Sequence, residues 1–157
     1  MKISIRKGFS FGLTSGIITT LGMIVGLDSS TKSKTIVLGG IVLIAVADAF
    51  SDSLGMHISQ ESELHSQKDV WTSTISTFVS KFVFAITFII PFMLFSLQTA
   101  VIISIIWGLS LISSFSYYLA KKEKINPLKV IGEHLLIAVL VIIATHYIGD
   151  WVALTFR

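Results

Sequence analysis

The stretch that decides the fold is residues 82–120, which reads FVFAITFIIPFMLFSLQTAVIISIIWGLSLISSFSYYLA and contains no charged residue. A helix needs about 20 consecutive, mostly apolar residues to cross a membrane. The apolar residues here form continuous runs rather than the periodic stripe of a soluble amphipathic helix. The stretch therefore indicates a chain that is embedded in lipid.

The overall composition agrees with this interpretation. The chain has 157 residues, of which 53% are hydrophobic and 13% are charged, whereas a soluble domain carries about 25% charged residues. The formal net charge is +3, but the lysines lie in short loops without the aromatic residues of a nucleic-acid-binding patch, so nucleic acid is not an expected partner. The chain has no cysteine, which excludes disulfides and thiolate metal sites.

The sequence predicts an all-α, polytopic membrane protein that forms a single transmembrane domain over residues 1–157. The N-terminal apolar segment is interpreted as the first membrane helix rather than a cleaved signal peptide, because no small-residue cleavage site is followed by a soluble domain. An alternative with four crossings would place helix 1 in the membrane interface. The five predicted transmembrane helices cover approximately residues 8–27, 35–59, 70–97, 99–120 and 127–153.

The basic residues of alternate loops segregate to one side of the predicted membrane. The positive-inside rule then places the N-terminus in the cytoplasm and, after five crossings, the C-terminus outside, in the inner membrane if the cell is prokaryotic. The predicted cytoplasmic side carries Lys2, Arg6, Lys7, Lys68, Lys121, Lys122, Lys124 and Lys129, against Lys32, Lys34 and Arg157 on the other side.

The polar residues within the predicted spans are concentrated at the cytoplasmic halves of the helices. Ionisable side chains there are costly and are functional candidates by default, so we expect a polar funnel that opens to the cytoplasm. Its members are Thr14, Ser15, Thr19, Asp48, Asp52, Lys81 and Glu133.

Helix 2 carries an oxygen-rich face. Asp48, Asp52, Met56, Ser59 and Glu63 recur at spacings of three or four residues, which places them along one side of a helix. Carboxylate and hydroxyl oxygens bind hard divalent cations, and a thioether adds tolerance for softer ions such as iron.

An alternative interpretation of this face is purely structural. In it, one of the two aspartates pairs with Lys81, and the acidic residues near Glu63 belong to a solvated loop. His57 and His65 lie near the predicted cytoplasmic mouth, where histidines can bind metal or shuttle protons, but the favoured interpretation is that they are hydrogen-bonded interface residues. The same interpretation is given to His134 and His146. No catalytic fingerprint of an enzyme is present.

Two segments resemble a known family. Residues 11–26, FGLTSGIITTLGMIVG, resemble the first-helix pattern FGxNDGLVTTxGxVxG of the vacuolar iron transporter family, and residues 47–63, ADAFSDSLGMHISQESE, resemble its second-helix pattern ADGxSMAxGxYLSxxSE. Shorter similarities are IIPF at residues 89–92 and YIG at residues 147–149. The similarity thus runs in order through four of the five predicted helices.

The resemblance implies a homodimeric five-helix exporter of cytoplasmic Fe²⁺ or Mn²⁺, driven by proton antiport, with no tightly bound cofactor. The helix 1 aspartate of the family falls here on Ser15, and its helix 2 methionine falls on Asp52, while Asp48 and Glu63 are kept. The glutamate-rich helical insertion between helices 2 and 3 of that family is replaced by a short linker.

The resulting hypothesis is a divalent-metal transporter. Its core ligands would be Asp48 and Asp52, with Met56 on the same face. Ser15 and Thr19 would line the path opposite, and Glu61 and Glu63 would lie at the entrance. The alternative is a non-transporting accessory or assembly protein that keeps the fold; a lipid-handling enzyme has no motif in its favour.

Helix 1 also has a face of small residues. Gly8, Gly12 and Gly16 are spaced four residues apart, and such a face lets another helix approach closely inside a membrane. We expect this face to form a homodimer interface or to pack tightly on helix 2.

Overall fold

The computed structural model describes residues 3–156 and is helical in all of its regular secondary structure. Lys2 and Arg157, which contribute to the predicted orientation, lie outside the described residues. The helices are α1 (Ile3–Thr31), α2 (Lys34–Ser62), α3 (Gln67–Thr87), α4 (Ile89–Leu94), α5 (Leu97–Glu123) and α6 (Pro127–Phe156).

Within the described residues, five helical segments are long and apolar enough to cross a membrane, when α3 and α4 are counted together as Gln67–Leu94. This confirms the number of apolar helices expected from the sequence. The orientation and the insertion in a bilayer stay predictions.

The third predicted helix is interrupted in the structure. It ends at Thr87, and the amide of Phe88 donates to the carbonyl of Ala85 in a tight turn before α4 begins at Ile89. The cause is Pro91, which has no N–H to donate to the carbonyl of Thr87 and whose ring crowds that carbonyl. The prediction of one continuous helix over residues 70–97 is therefore corrected to two helices, α3 and α4, because this proline interrupts the hydrogen bonding between them.

The junction between α5 and α6 follows its local sequence. Lys124 adopts a left-handed conformation at the end of α5, with φ of 57°. Asn126 caps α6 by accepting a hydrogen bond from the amide of Leu128 at 3.0 Å, and Pro127 is the first helical residue. The Asn-Pro pair thus starts the last helix at residue 127, the residue at which the fifth predicted helix begins.

The chain forms two compact units. The first unit comprises residues 1–20 and 39–89, and the second comprises residues 21–38 and 90–157. α1 and α2 each contribute one part to both units. The prediction of a single membrane domain stays a prediction.

In the first unit, the glycine face of α1 lies against α3. A Cβ added at Gly8 would meet the carbonyl of Ser73, one at Gly12 would meet Ser80 and the carbonyl of Thr77, and one at Gly16 would meet the backbone of Lys81. This face therefore packs on α3 and not on helix 2, as one alternative held. A homodimer through helix 1 would need another of its faces and stays a prediction.

In the second unit, the last turns of α1 lie against α6. A Cβ at Gly22 would meet Val141, and a Cβ at Gly149 would meet the carbonyl of Gly26. The same unit contains a hydrogen bond of 2.7 Å between Ser116 of α5 and His134 of α6. Small residues thus bring backbones close together, as in packed membrane helices.

Candidate cation site

The candidate site in the first unit is built on one turn of α2 and one turn of α1. Asp48 and Asp52 are four residues apart on α2, and Ser15 and Thr19 are four residues apart on α1, so each pair lies on one face of its helix. The glycines that pack α1 on α3 lie on the adjoining turns. The site is therefore positioned by helix packing rather than by a loop.

Lys81 of α3 lies between the two carboxylates. Its Nζ is 2.6 Å from Oδ2 of Asp48, donates to Oδ2 of Asp52, and donates to Oγ of Ser15 at 2.9 Å. Only 1% of the Lys81 side chain is exposed. Because an ammonium group has three N–H donors, this buried charge has a partner for each of them.

The two hydroxyl groups of α1 also bond to the carboxylates. Oγ of Ser15 donates to Oδ2 of Asp52 at 2.6 Å, and Oγ1 of Thr19 lies 2.9 Å from Oδ2 of Asp48 and 2.8 Å from the carbonyl of Ser15. The same oxygen of each carboxylate therefore receives both the lysine and a hydroxyl group, which fixes the orientation of both aspartates.

The other oxygen of each carboxylate is available. Within residues 3–156, Oδ1 of Asp48 and Oδ1 of Asp52 make no hydrogen bond in the structure, and the side chains are 25% and 20% exposed. With two carboxylates and one ammonium, the cluster carries a formal charge of −1. It can accept a further cation or hydrogen-bond donor.

The remaining predicted site residues are not part of this cluster. Met56 is half-buried and Glu61 is exposed. Glu63 follows the end of α2 and lies 3.0 Å from Nε2 of His65 and 3.4 Å from Nζ of Lys7. The hydrogen bond with His65, followed by the charge and hydrogen bond of Lys7, lowers the pKa of Glu63 below its usual value.

Glu133 does not belong to the cluster formed in the first unit. It lies in the second unit, is exposed, and pairs with Lys129 at 4.0 Å. Of the residues predicted to form a polar funnel, the structure brings five close together: Ser15, Thr19, Asp48, Asp52 and Lys81.

Each of the four histidines has a hydrogen-bonding or ionic partner. His57 contacts Thr74 and His65 contacts Glu63, while His134 contacts Ser116 and His146 contacts Ser29. Among residues 3–156, no group of three or more His, Cys, Asp or Glu side chains is arranged to hold a metal ion. A metal ion at the two aspartates would have to complete its ligand shell with hydroxyl groups and water.

Lys81 has a larger role in the structure than the sequence predicted. The sequence predicts that it pairs with one aspartate, whereas in the structure it contacts both. The signal was available: Lys81 is the last charged residue before the uncharged stretch of residues 82–120, where a lone lysine must find an acidic partner to be buried.

No protein-family model matches the chain, and no curated protein matches it. The resemblance to the vacuolar iron transporter family rests on the motifs quoted above.

Proposed function

We propose that this protein is a multi-pass membrane transporter that moves a divalent cation, Fe²⁺ or Mn²⁺, out of the cytoplasm in exchange for protons. In this proposal Asp48 and Asp52 are the cation-binding residues. The observation that carries the proposal concerns Oδ1 of Asp48 and Oδ1 of Asp52. Within residues 3–156 these two oxygens make no hydrogen bond, whereas Oδ2 of each aspartate is held by Lys81. Ionisable groups retained in an apolar span mark ion pathways more often than structural sites.

The chemistry of the donors favours a hard divalent cation. Carboxylate and hydroxyl oxygens suit Mn²⁺ and tolerate Fe²⁺. Lys81 reduces the formal charge of the two aspartates from −2 to −1, which weakens the binding of a divalent ion. Weak binding suits transport, since a transported ion has to leave its site.

The test is uptake of Mn²⁺ into proteoliposomes that contain a metal-quenched dye, measured with and without a pH gradient because exchange for protons is part of the proposal. Asp48→Asn and Asp52→Asn should abolish uptake, since the amide keeps the volume but loses the charge. Glu133→Gln is the matched control, because it removes an exposed carboxylate of the second unit, and it should leave uptake unchanged.

A combined variant separates a ligand role of Asp52 from simple charge compensation. If Asp52 only neutralises Lys81, then Asp52→Asn together with Lys81→Met should restore both folding and uptake. A stable, inactive single variant that the second change does not rescue supports the proposal, and restored uptake contradicts it.

A second candidate is a non-transporting membrane protein that keeps this arrangement as a structural element. Lys81 favours it, because a tethered ammonium group with three partners already lies between the carboxylates. Folded wild-type protein that admits no more Mn²⁺ than protein-free liposomes would support this candidate over the first.

A further inference from the structure

The second unit contains a cavity of about 370 Å³ between the last turns of α1 and helices α5 and α6. This volume is within the range of small-molecule sites, about 300–1,000 Å³. Its walls are mostly aliphatic and are formed by Val25, Val101, Ile105, Ile142 and Ile143.

Asp28 lines this cavity and has an unsatisfied carboxylate oxygen. Its Oδ1 is buried and has no hydrogen-bond partner within residues 3–156, while its Oδ2 is 3.4 Å from Nζ of Lys32. Only 15% of the Asp28 side chain is exposed. Because Oδ1 is buried and Oδ2 has only the contact of 3.4 Å with Lys32, the charge of this carboxylate is weakly compensated, which is unfavourable. A cationic donor that reaches Oδ2 from the cavity would therefore be stabilised there.

Two other polar residues of the cavity, Ser29 and His146, already have partners. Oγ of Ser29 is 2.6 Å from Nδ1 of His146, and Nε2 of His146 is 3.5 Å from Oδ2 of Asp150. Ser29 and His146 form a polar end beside Asp28 but do not compensate its charge. The cavity thus has one anionic end and one hydrocarbon end.

We propose that this cavity binds a small alkylammonium ion, with its N–H groups on Asp28 and its hydrocarbon part against the aliphatic walls. A metal ion fits less well, because the described residues offer no group of three metal-binding side chains and aliphatic walls cannot replace lost hydration water. An anion would be repelled by the carboxylate. The site shares no residue with the Asp48–Asp52 cluster and does not depend on the function proposed for it.

Lys32 is the internal competitor for Asp28. Its side chain is 56% exposed and its contact with Oδ2 is long, at 3.4 Å, which describes a weak surface ion pair. Removal of this lysine should therefore strengthen the binding of an ammonium ligand, by about two- to fivefold on the scale of such pairs.

The experiment is equilibrium dialysis of radiolabelled hexylammonium against the full chain in phosphatidylcholine nanodiscs, with the uptake of empty nanodiscs subtracted. Wild-type protein should bind it saturably at one site. Asp28→Asn should weaken binding by about tenfold or more, because the ion pair between the ammonium group and the carboxylate is lost. Lys32→Gln should strengthen binding. Glu133→Gln, which removes an exposed carboxylate that does not line the cavity, should have little effect.

Two further measurements keep the test decisive if Asp28→Asn folds poorly. Ile105→Trp fills the cavity without touching the carboxylate and should also abolish binding in a folded protein. Hexanol, which has the same hydrocarbon part but no charge, should not compete.

Equal binding by Asp28→Asn, non-saturable binding by the wild type, or competition by hexanol would overturn the proposal. A lipid result would overturn it as well. If native mass spectra show phosphatidylethanolamine whose binding depends on Asp28 and which hexylammonium does not displace, the cavity is a lipid site.

Discussion

The bonding of Lys81 to two carboxylates predicts a cooperative loss of stability when both are removed. Asp48→Asn and Asp52→Asn each leave one carboxylate on the ammonium group, whereas the double variant leaves none. Because only 1% of the Lys81 side chain is exposed, the charge of the double variant is buried without compensation.

The magnitude follows from the contacts. Each single change replaces one contact of the ammonium group with a carboxylate by a contact with a neutral amide oxygen, which costs about 1 kcal/mol. A buried charge that loses its counter-charge costs about 3–5 kcal/mol. The double variant should therefore lose about 1–3 kcal/mol more than the sum of the single variants, a coupling of the size that contacting residues show.

Reversible unfolding by SDS in mixed detergent micelles measures this coupling across wild type, both single variants and the double variant. The pair Glu133→Gln and Asp150→Asn is the control, since both carboxylates are exposed, and its effects should add within about 0.5 kcal/mol. Additive costs for Asp48→Asn and Asp52→Asn would refute the shared pairing with Lys81.

Three further outcomes are expected. Gly12→Ala should destabilise the protein by about 1–3 kcal/mol, because its methyl group would meet the backbone of α3. Gly39→Ala should be neutral or stabilising by up to about 1 kcal/mol, because a Cβ at Gly39 has no atom within 4 Å. SDS unfolding of both variants measures the difference. A reporter fused after Arg157 should be found outside the cytoplasm and one placed near Lys122 inside it, and a cytoplasmic C-terminus would rule out five crossings. The pKa of Glu63 is lowered in the folded protein, so its carboxylate stabilises the fold at pH values above the unfolded pKa of 4.5. This stabilisation is lost as the pH falls through the folded pKa. The difference in unfolding free energy between wild type and Glu63→Gln should therefore be present at neutral pH and vanish in acid.

The helices were predictable from sequence because their causes are local. Uninterrupted apolar runs, the Asn-Pro pair before α6 and the polar segments between helices lie within a few residues of the boundaries that they set. The break at Phe88 also has a local cause, since Pro91 removes one hydrogen bond and crowds the preceding turn. An uninterrupted apolar run predicts one helix there because hydropathy takes no account of the proline.

The candidate site was predictable in part. The spacing of Asp48 and Asp52 placed them on one face of α2, because helical periodicity is encoded in the order of residues. Ser15 and Thr19 were expected to line the path opposite, and the structure brings their hydroxyl groups to the two carboxylates. Glu63 illustrates the limit of that argument: it continues the spacing but follows the end of α2 and pairs with His65 and Lys7 instead.

By itself, the sequence determined that the chain contains apolar helices long enough to cross a membrane, and that Asp48 and Asp52 fall on one face of helix 2. Only the tertiary structure decided that the glycines of α1 pack on α3, that Lys81 joins both aspartates, and that Asp28 lines a cavity in the second unit with an unpaired oxygen. The physical reason is that periodicity fixes which residues share a face, whereas which faces meet depends on the close packing of helices that are distant in the chain.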